Sequence, residues 1–265
     1  MPSLLAMILP LLAVAANGQD LAGRIAANHY VYEPDGIGPF PALIAIPGCS
    51  GISSEDDEFE NSNPQLQEDD RLFRRHYRKM ATDLMRLGFV VYLVDVHRAE
   101  GVVTACSGEI PADSIAAYIG AAIEWVAGQP KVDSGRLHLI GWSMGGGGVL
   151  EWLQEPGNET EKLNAAIAVY PACGGVSSLT ADIPLLMLLG GADDIADPDK
   201  CEALAVNAAV ASAVTLRVYP GARHGYDIKD APSKIEIGGG MTVGYQQAAA
   251  EASWSEIKRF LHRSD

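Results

Sequence analysis

Positive charge is scarce in this chain of 265 residues. Lys and Arg number 19 against 34 Asp and Glu, which gives a formal net charge of -15 at pH 7. Such a chain repels nucleic-acid phosphates and anionic lipid headgroups, which argues against nucleic-acid binding and against peripheral binding to membranes. Part of the acidity lies in residues 54–70. These lack the Asp/Asn/Gly spacing of a calcium loop, so we expect a solvated loop there.

Two further motifs are missing. The four cysteines and six histidines show none of the paired spacings of a zinc site, so no metal site is predicted. No Gly-Lys-Ser/Thr follows the glycine run Gly145–Gly148, which argues against a phosphate-binding loop.

Long apolar segments are also absent, except near the N-terminus. Leu4–Ala16 is an apolar segment of roughly a dozen residues, too short to span a bilayer but typical of a secretory signal. No Lys or Arg precedes Leu4, so an atypical signal or a misassigned start remains the alternative. We predict a signal peptide over residues 1–16 and one domain over 17–265. The protein is then expected to be periplasmic or secreted, without stable membrane association once the signal is removed.

Short apolar runs alternate with stretches of helical period along this domain. Ala42–Ile46 and Phe89–Val94 are typical of buried strands, whereas Ile115–Val126 carries apolar residues at helical spacing. This alternation predicts an α/β fold, with a parallel sheet and helices on both faces. Reactive groups are expected at the carboxyl ends of the strands. The run Gly238–Gly240 is expected to bend the chain before its last helix.

One serine stands between glycines directly after the predicted strand Leu137–Ile140. A strand that turns abruptly into a helix strains its apex residue, so the neighbouring positions need minimal side chains, which Gly141 and Gly145 supply. The pattern predicts a nucleophile elbow with Ser143 as the nucleophile. An incidental glycine-rich turn is the alternative.

Serine is a poor nucleophile at neutral pH unless a neighbouring base removes its proton. Four of the six histidines lie within predicted strands or helices or near the terminus: His29, His76, His138 and His262. His224 follows the last predicted strand and is therefore the predicted base. His97 also follows a strand, where we expect it to be a pocket-wall or structural residue.

A carboxylate must orient the imidazole and stabilise its charged form. Asp193 is the predicted acid, in preference to Asp194, because the first acid of such a loop usually turns inward while its neighbour faces water. Asp197 is more distant and is expected to cap a helix. The chain order Ser, Asp, His is that of α/β-hydrolases.

The oxyanion of a tetrahedral intermediate needs donors that are fixed in advance. The backbone N–H of Met144 is the first candidate, since it directly follows the serine. The backbone N–H of Cys49 is the second, in the loop that follows the early strand. A plain tight turn is the alternative for that loop.

These motifs together resemble the dienelactone hydrolase family of the α/β-hydrolase superfamily, over about Tyr30 to Leu261. The matching segments are Ile46–Gly51, Gly141–Gly146, Gly190–Asp194 and Tyr219–Tyr226. The resemblance implies a mostly parallel sheet of about seven or eight strands without a large lid. It also implies hydrolysis of small-molecule esters or lactones without a metal or organic cofactor.

Two departures from the family pattern affect the expected substrate. The name-giving enzymes use a cysteine nucleophile, so Ser143 places the chain nearer the family's serine esterases. The name-giving enzymes also bind their substrate's carboxylate with arginines. Arg98 could supply one of these arginines, but Asp227 and Ile228 stand where another is expected. Cleavage of a dienelactone itself is therefore not expected. The candidates for substrate binding are those near the expected pocket, each with a packing role as the alternative: His97, Arg98, Trp142 and Tyr226.

The sheet order of the superfamily implies how the cysteines pair. The strands before Cys49 and Cys106 are neighbours in that order, as are those before Cys173 and Cys201, so these are the two expected disulfides. Oxidised cysteines agree with export, and four reduced thiols are the alternative.

The sequence thus predicts a serine hydrolase that acts through an acyl-enzyme. A peptidase of the prolyl-oligopeptidase kind shares the motifs but usually carries a propeller or another large addition. A catalytically silent binding protein with this fold is the second alternative, although it would be expected to have lost one of the three side chains.

Overall fold

The computed structural model describes residues 20–52, 68–155, 158, 162–180, 182–208 and 213–264. The expected signal peptide and most of the acidic run lie outside the described residues. The strands are β1 (His29–Tyr32), β2 (Phe40–Ile46), β3 (Val90–Val94), β4 (Val132–Trp142), β5 (Ala165–Val169), β6 (Leu185–Gly190), β7 (Val214–Tyr219), β8 (Ile235–Glu236) and β9 (Thr242–Val243). Residues 20–27 are also helical. The helices that follow β1 and β2 are α1 (Glu68–Met85), α2 (Val96–Glu100), α3 (Ala112–Ala127), α4 (Met144–Gln154), α5 (Pro198–Val206) and α6 (Gln247–Ser264).

The main sheet has seven strands in the order β1-β3-β2-β4-β5-β6-β7. Only the first pair, β1 with β3, is antiparallel, and the other neighbours run parallel. This confirms the predicted fold class. Because β2, β4, β6 and β7 are parallel, the loops that follow them all leave from one edge of the sheet.

The sheet is buried on both faces, as the composition of β3 illustrates. All five residues of β3 are buried, so the strand needs cover on each side. Val90, Tyr92 and Val94 belong to the core that also contains α3, α4 and α5, whereas Val91 and Leu93 belong to the core with α1 and α6. Two helical layers therefore hold the central strands and their loops in place.

A small hairpin lies between β7 and the last helix. β8 and β9 pair antiparallel, with Ile235 opposite Val243, and a 3-10 turn over Gly238–Gly240 joins them. The expected bend at the glycines is thus the turn of this hairpin. Val243 also forms an isolated bridge with His224, so the hairpin contacts the loop that follows β7.

Within the described ranges, no helix has both the length and the hydropathy needed to cross a bilayer. In the same ranges, no group of three or more His, Cys, Asp or Glu side chains could hold a metal ion.

Candidate active site

Ser143 occupies the sharp turn between β4 and α4. Its backbone has φ 51° and ψ -117°, a strained conformation for a residue with a side chain, and its N–H donates to the Val169 carbonyl at 2.9 Å. A Cβ on Gly141 would lie 2.4 Å from the Gly145 carbonyl oxygen, and a Cβ on Gly145 would lie 2.4 Å from that of Ile46. The two glycines are therefore required by backbone packing at the turn.

Ser143, His224 and Asp193 meet at the carboxyl edge of the sheet. His224 follows β7, and its Nε2 lies 2.7 Å from the Ser143 Oγ. Its Nδ1 lies 2.7 Å from Oδ2 of Asp193, which follows β6. The other oxygen of Asp193 accepts from the backbone N–H groups of Ile195 and Ala196, at 2.9 and 2.8 Å. Asp193 and His224 are both buried, so few water molecules compete for these contacts.

The two neighbouring acids after β6 have different partners. Asp194 is exposed and accepts hydrogen bonds from the backbone N–H and the hydroxyl of Thr242, both at 2.7 Å. These bonds from Thr242 hold the pKa of Asp194 below its ordinary value. Asp193 thus faces the imidazole, while Asp194 attaches the β8–β9 hairpin beside the site. Asp197 accepts from the N–H of Asp199 and caps α5, as expected.

The loop after β2 is held beside the serine by its carbonyl groups. The Cys49 oxygen lies 3.0 Å from Nε2 of His97, and it accepts from Ala105 N–H at 2.8 Å and from the Thr104 hydroxyl at 3.2 Å. Cys49 and Met144, the two candidate oxyanion donors, both line a cavity that opens on Ser143.

The structure contains both expected disulfides. Cys49 is bonded to Cys106, 57 residues further along the chain, and Cys173 to Cys201, 28 residues further along. The first joins the loop after β2 to the segment before α3, directly at the site. The second joins the segment after β5 to α5.

None of the four side chains considered for substrate binding lines either of the two cavities that the described residues form at Ser143. Trp142 and Tyr226 are completely buried in the core beside α1 and α6. His97 is also buried, against the Cys49 carbonyl, and burial lowers its pKa to about 4. Arg98 lies exposed on α2.

Two cavities lined by residues that the structure describes open on Ser143. The larger has a volume of about 410 Å³ and is lined by His224, Tyr77, Tyr170 and several aliphatic side chains. The smaller has a volume of about 310 Å³ and is lined by three alanines and three glycines, together with Ile110, Val176, Met144 and Glu151.

Three buried side chains form a series of contacts that ends on His224, and the sequence analysis assigned a catalytic or binding role to none of them. The ring of Tyr170 packs edge-to-face on the imidazole, with centroids 4.8 Å apart, and its hydroxyl donates to Asp227 at 2.7 Å. Nε2 of His76 lies 3.3 Å from the other oxygen of Asp227. Burial by itself raises the pKa of Asp227, but His76 and the Tyr170 hydroxyl outweigh it and hold that pKa below its ordinary value. The position of Tyr170 directly after β5 is the signal that could have identified it.

Tyr77 of α1 also reaches the site. Its hydroxyl is hydrogen-bonded to Ser50 and to the backbone of Gly48, and burial raises its pKa to about 12. A Cβ on Gly48 would lie 2.4 Å from this hydroxyl and 3.2 Å from the Cβ of Ser143. A neutral phenol therefore stands next to the serine, in the wall of the larger cavity.

Comparison with known proteins adds a family and a shared fold. The family model described as "Dienelactone hydrolase family" matches residues 72–264. A protein of Methylorubrum extorquens, named "Putative carboxymethylenebutenolidase", is 24% identical over 96% of this chain and 86% of its own. The crystal structure of a "Putative Dienelactone Hydrolase" from Klebsiella pneumoniae has a TM-score of 0.66 at 18% identity, over 88% of this chain and 92% of that one. Esterase 2 of Thermogutta terrifontis, phosphoramylated by tabun, has a TM-score of 0.57 at 16% identity, over 89% and 88%.

Proposed function

Because this chain belongs to the dienelactone hydrolase family and is therefore a hydrolase of ester bonds, we propose that it cleaves carboxylic esters or lactones through an acyl-enzyme on Ser143. His224 is the general base and acid of this reaction, and Asp193 orients it. The substrate is a small molecule, and no cofactor takes part.

Acylation begins when the Ser143 Oγ attacks the carbonyl carbon of the substrate. The hydroxyl proton passes to Nε2 of His224, 2.7 Å away, and the carbonyl electron pair moves onto its oxygen. The backbone N–H groups of Cys49 and Met144 stabilise this oxyanion, and Met144 stands at the positive end of α4. When the intermediate collapses, the bond to the alcohol oxygen breaks and His224 gives that oxygen its proton.

Deacylation repeats the sequence with water. The water oxygen attacks the acyl carbon while His224 takes a proton from the water. The bond between the acyl carbon and the Ser143 Oγ then breaks, and His224 returns the proton to the serine. In both halves Asp193 accepts from Nδ1–H, which keeps Nε2 free to act as the base and stabilises the imidazolium.

The proposal is carried by one observation: side chains from three remote segments meet through two consecutive 2.7 Å contacts. The strained φ of Ser143 is further support, since a silent binding protein has no need to maintain strain at that residue.

The test is labelling with a fluorophosphonate probe, together with turnover of p-nitrophenyl acetate. Ser143→Ala should abolish labelling and lower turnover by at least about 10⁴-fold. Ser255→Ala, which removes an exposed serine hydroxyl on α6, is the matched control and should change neither. Ester turnover that survives Ser143→Ala would contradict the proposal. Turnover of a dipeptide amide without turnover of esters or lactones would favour a peptidase.

A further inference from the structure

The two described cavities at Ser143 share one disulfide in their walls. Cys49, Cys106 and Ser143 line both cavities, so the cavities meet at the Cys49–Cys106 bridge and at the serine. An ester bound with its carbonyl carbon at Ser143 can therefore place one half in each cavity.

Proton transfer decides which half of the ester lies in which cavity. His224 lines only the larger cavity, and Met144 lines only the smaller one. The leaving oxygen must reach Nε2 of His224, because it takes its proton from that atom. The oxyanion must face the N–H groups of Met144 and Cys49. The alcohol half therefore points into the larger cavity, and the acyl half is left with the smaller one.

We propose, on the basis of the function proposed above, that the larger cavity binds an uncharged, apolar alcohol group and the smaller cavity a short, uncharged acyl group. The preferred substrates are then neutral esters that combine a long alcohol with a compact acid.

The lining of the larger cavity supports an apolar alcohol group. Five aliphatic side chains form one wall: Ile195, Ile228, Ile237, Met241 and Val243. Three of these come from the β8–β9 segment, which the bond between Asp194 and Thr242 attaches to the site. Among the described residues that line this cavity, none is Lys, Arg, Asp or Glu. A charged group placed here would lose its hydration without gaining an ionic partner.

The volume and the lining of the smaller cavity support a short, uncharged acyl group. It has about 310 Å³ against about 410 Å³ for the larger cavity, its walls include Ile110 and Val176, and the charged residue among its described lining is Glu151. The Glu151 carboxylate would repel a second carboxylate on the acyl half. Succinate-type half-esters should therefore be poor substrates.

Two ester series test the assignment. In acetate esters with alcohols from methyl to hexyl, kcat/KM should rise by up to about fourfold per buried methylene. In methyl esters with acids from acetate to octanoate, kcat/KM should fall once the chain exceeds the smaller cavity. All the acetate esters form the same acyl-enzyme, so they should have the same kcat wherever deacylation limits turnover. The differences in kcat/KM between them should then appear in KM. The proposal would be overturned if kcat/KM fell with the length of the alcohol and rose with the length of the acid.

Variants identify the cavity responsible. Met241→Asp should lower kcat/KM for hexyl acetate by at least about tenfold but change that for methyl acetate much less. Val206→Asp is the matched control, because Val206 is 79% exposed on α5 and lies outside both cavities, and it should change neither value. Glu151→Gln should raise the kcat/KM ratio of ethyl hydrogen succinate to ethyl butanoate by about tenfold. Glu202→Gln, an exposed glutamate of α5, should leave that ratio unchanged.

Failure of this inference differs from failure of the proposed function. If Ser143 is labelled by the fluorophosphonate but Met241→Asp alters the acyl series instead of the alcohol series, the cavity assignment is wrong and the nucleophile stands. If Ser143 is not labelled and no ester is hydrolysed, both proposals are wrong.

Discussion

Asp193→Asn gives the sharpest test of how His224 is oriented, because the structure determines which way the new amide must face. Oδ1 of Asp193 accepts from two backbone N–H groups, those of Ile195 and Ala196. The amide oxygen must take this position, since an NH₂ group cannot accept those bonds. The NH₂ group then faces Nδ1 of His224, which has to become the acceptor. The ring proton moves to Nε2, and Nε2 can no longer take the proton of Ser143.

The expected effect on rate is large and the effect on stability small. Loss of the productive tautomer should lower kcat/KM by about 10⁴-fold, or about 5.5 kcal/mol of transition-state stabilisation. The backbone bonds to Asp193 survive and the volume is unchanged, so the melting temperature should move by only about 2–4 °C. Labelling of Ser143 by the fluorophosphonate should slow in parallel with turnover.

Asp194→Asn is the matched control, since it makes the same chemical change one residue further along. Asp194 bonds Thr242 and not the imidazole, so this variant should lose far less activity. Retention of more than about a tenth of wild-type turnover by folded Asp193→Asn would refute the tautomer argument. So would a pattern in which Asp194→Asn is the inactive variant.

Three further predictions concern stability. Burial lowers the pKa of His97 to about 4, against about 6.5 in the unfolded chain, so between these pH values the unfolded chain binds a proton that the folded chain does not. The free energy of unfolding should therefore fall by up to about 3 kcal/mol as the pH is lowered from 6.5 to 4. Urea titrations should show a weaker pH dependence for His97→Gln. A Cβ at Gly148 would lie 2.2 Å from Cγ2 of Ile115, so Gly148→Ala should lower the free energy of unfolding by about 1–2 kcal/mol, although alanine has a higher helix propensity than glycine. In an Ile115→Ala background, where this clash is removed, the same substitution should stabilise the protein. Removing the Cys173–Cys201 bridge should lower the free energy of unfolding by about 3–4 kcal/mol, and a reductant without effect on the wild-type urea midpoint would contradict this.

The parts of the site that the sequence predicted are those with a local cause. Ser143 was identifiable because strand, glycine, serine and glycine follow one another within a few residues, and the structure requires each glycine for backbone packing. His224 and Asp193 were identifiable because each follows a predicted strand, and a parallel sheet brings such loops to one edge.

The candidates for substrate binding show where this reasoning fails. Trp142 is the neighbour of Ser143 in sequence, yet it is completely buried in the core beside α1. Tyr226 follows His224 closely and is buried in the same core. Nearness along the chain does not determine which way a side chain faces where the backbone turns sharply. Three side chains in the wall of the larger cavity, Ile237, Met241 and Val243, come from the hairpin around Gly238–Gly240, whose two strands are too short to give a sequence pattern.

The sequence by itself determined the α/β fold, the turn at Ser143 and the order of the three candidate catalytic side chains, because periodicity, glycine positions and strand ends are local properties of the chain. Only the tertiary structure decided that the Cys49–Cys106 bridge lines two cavities at Ser143, and that His224 borders one of them and Met144 the other. Cavity shape depends on how distant segments pack against one another, and no local pattern encodes that packing.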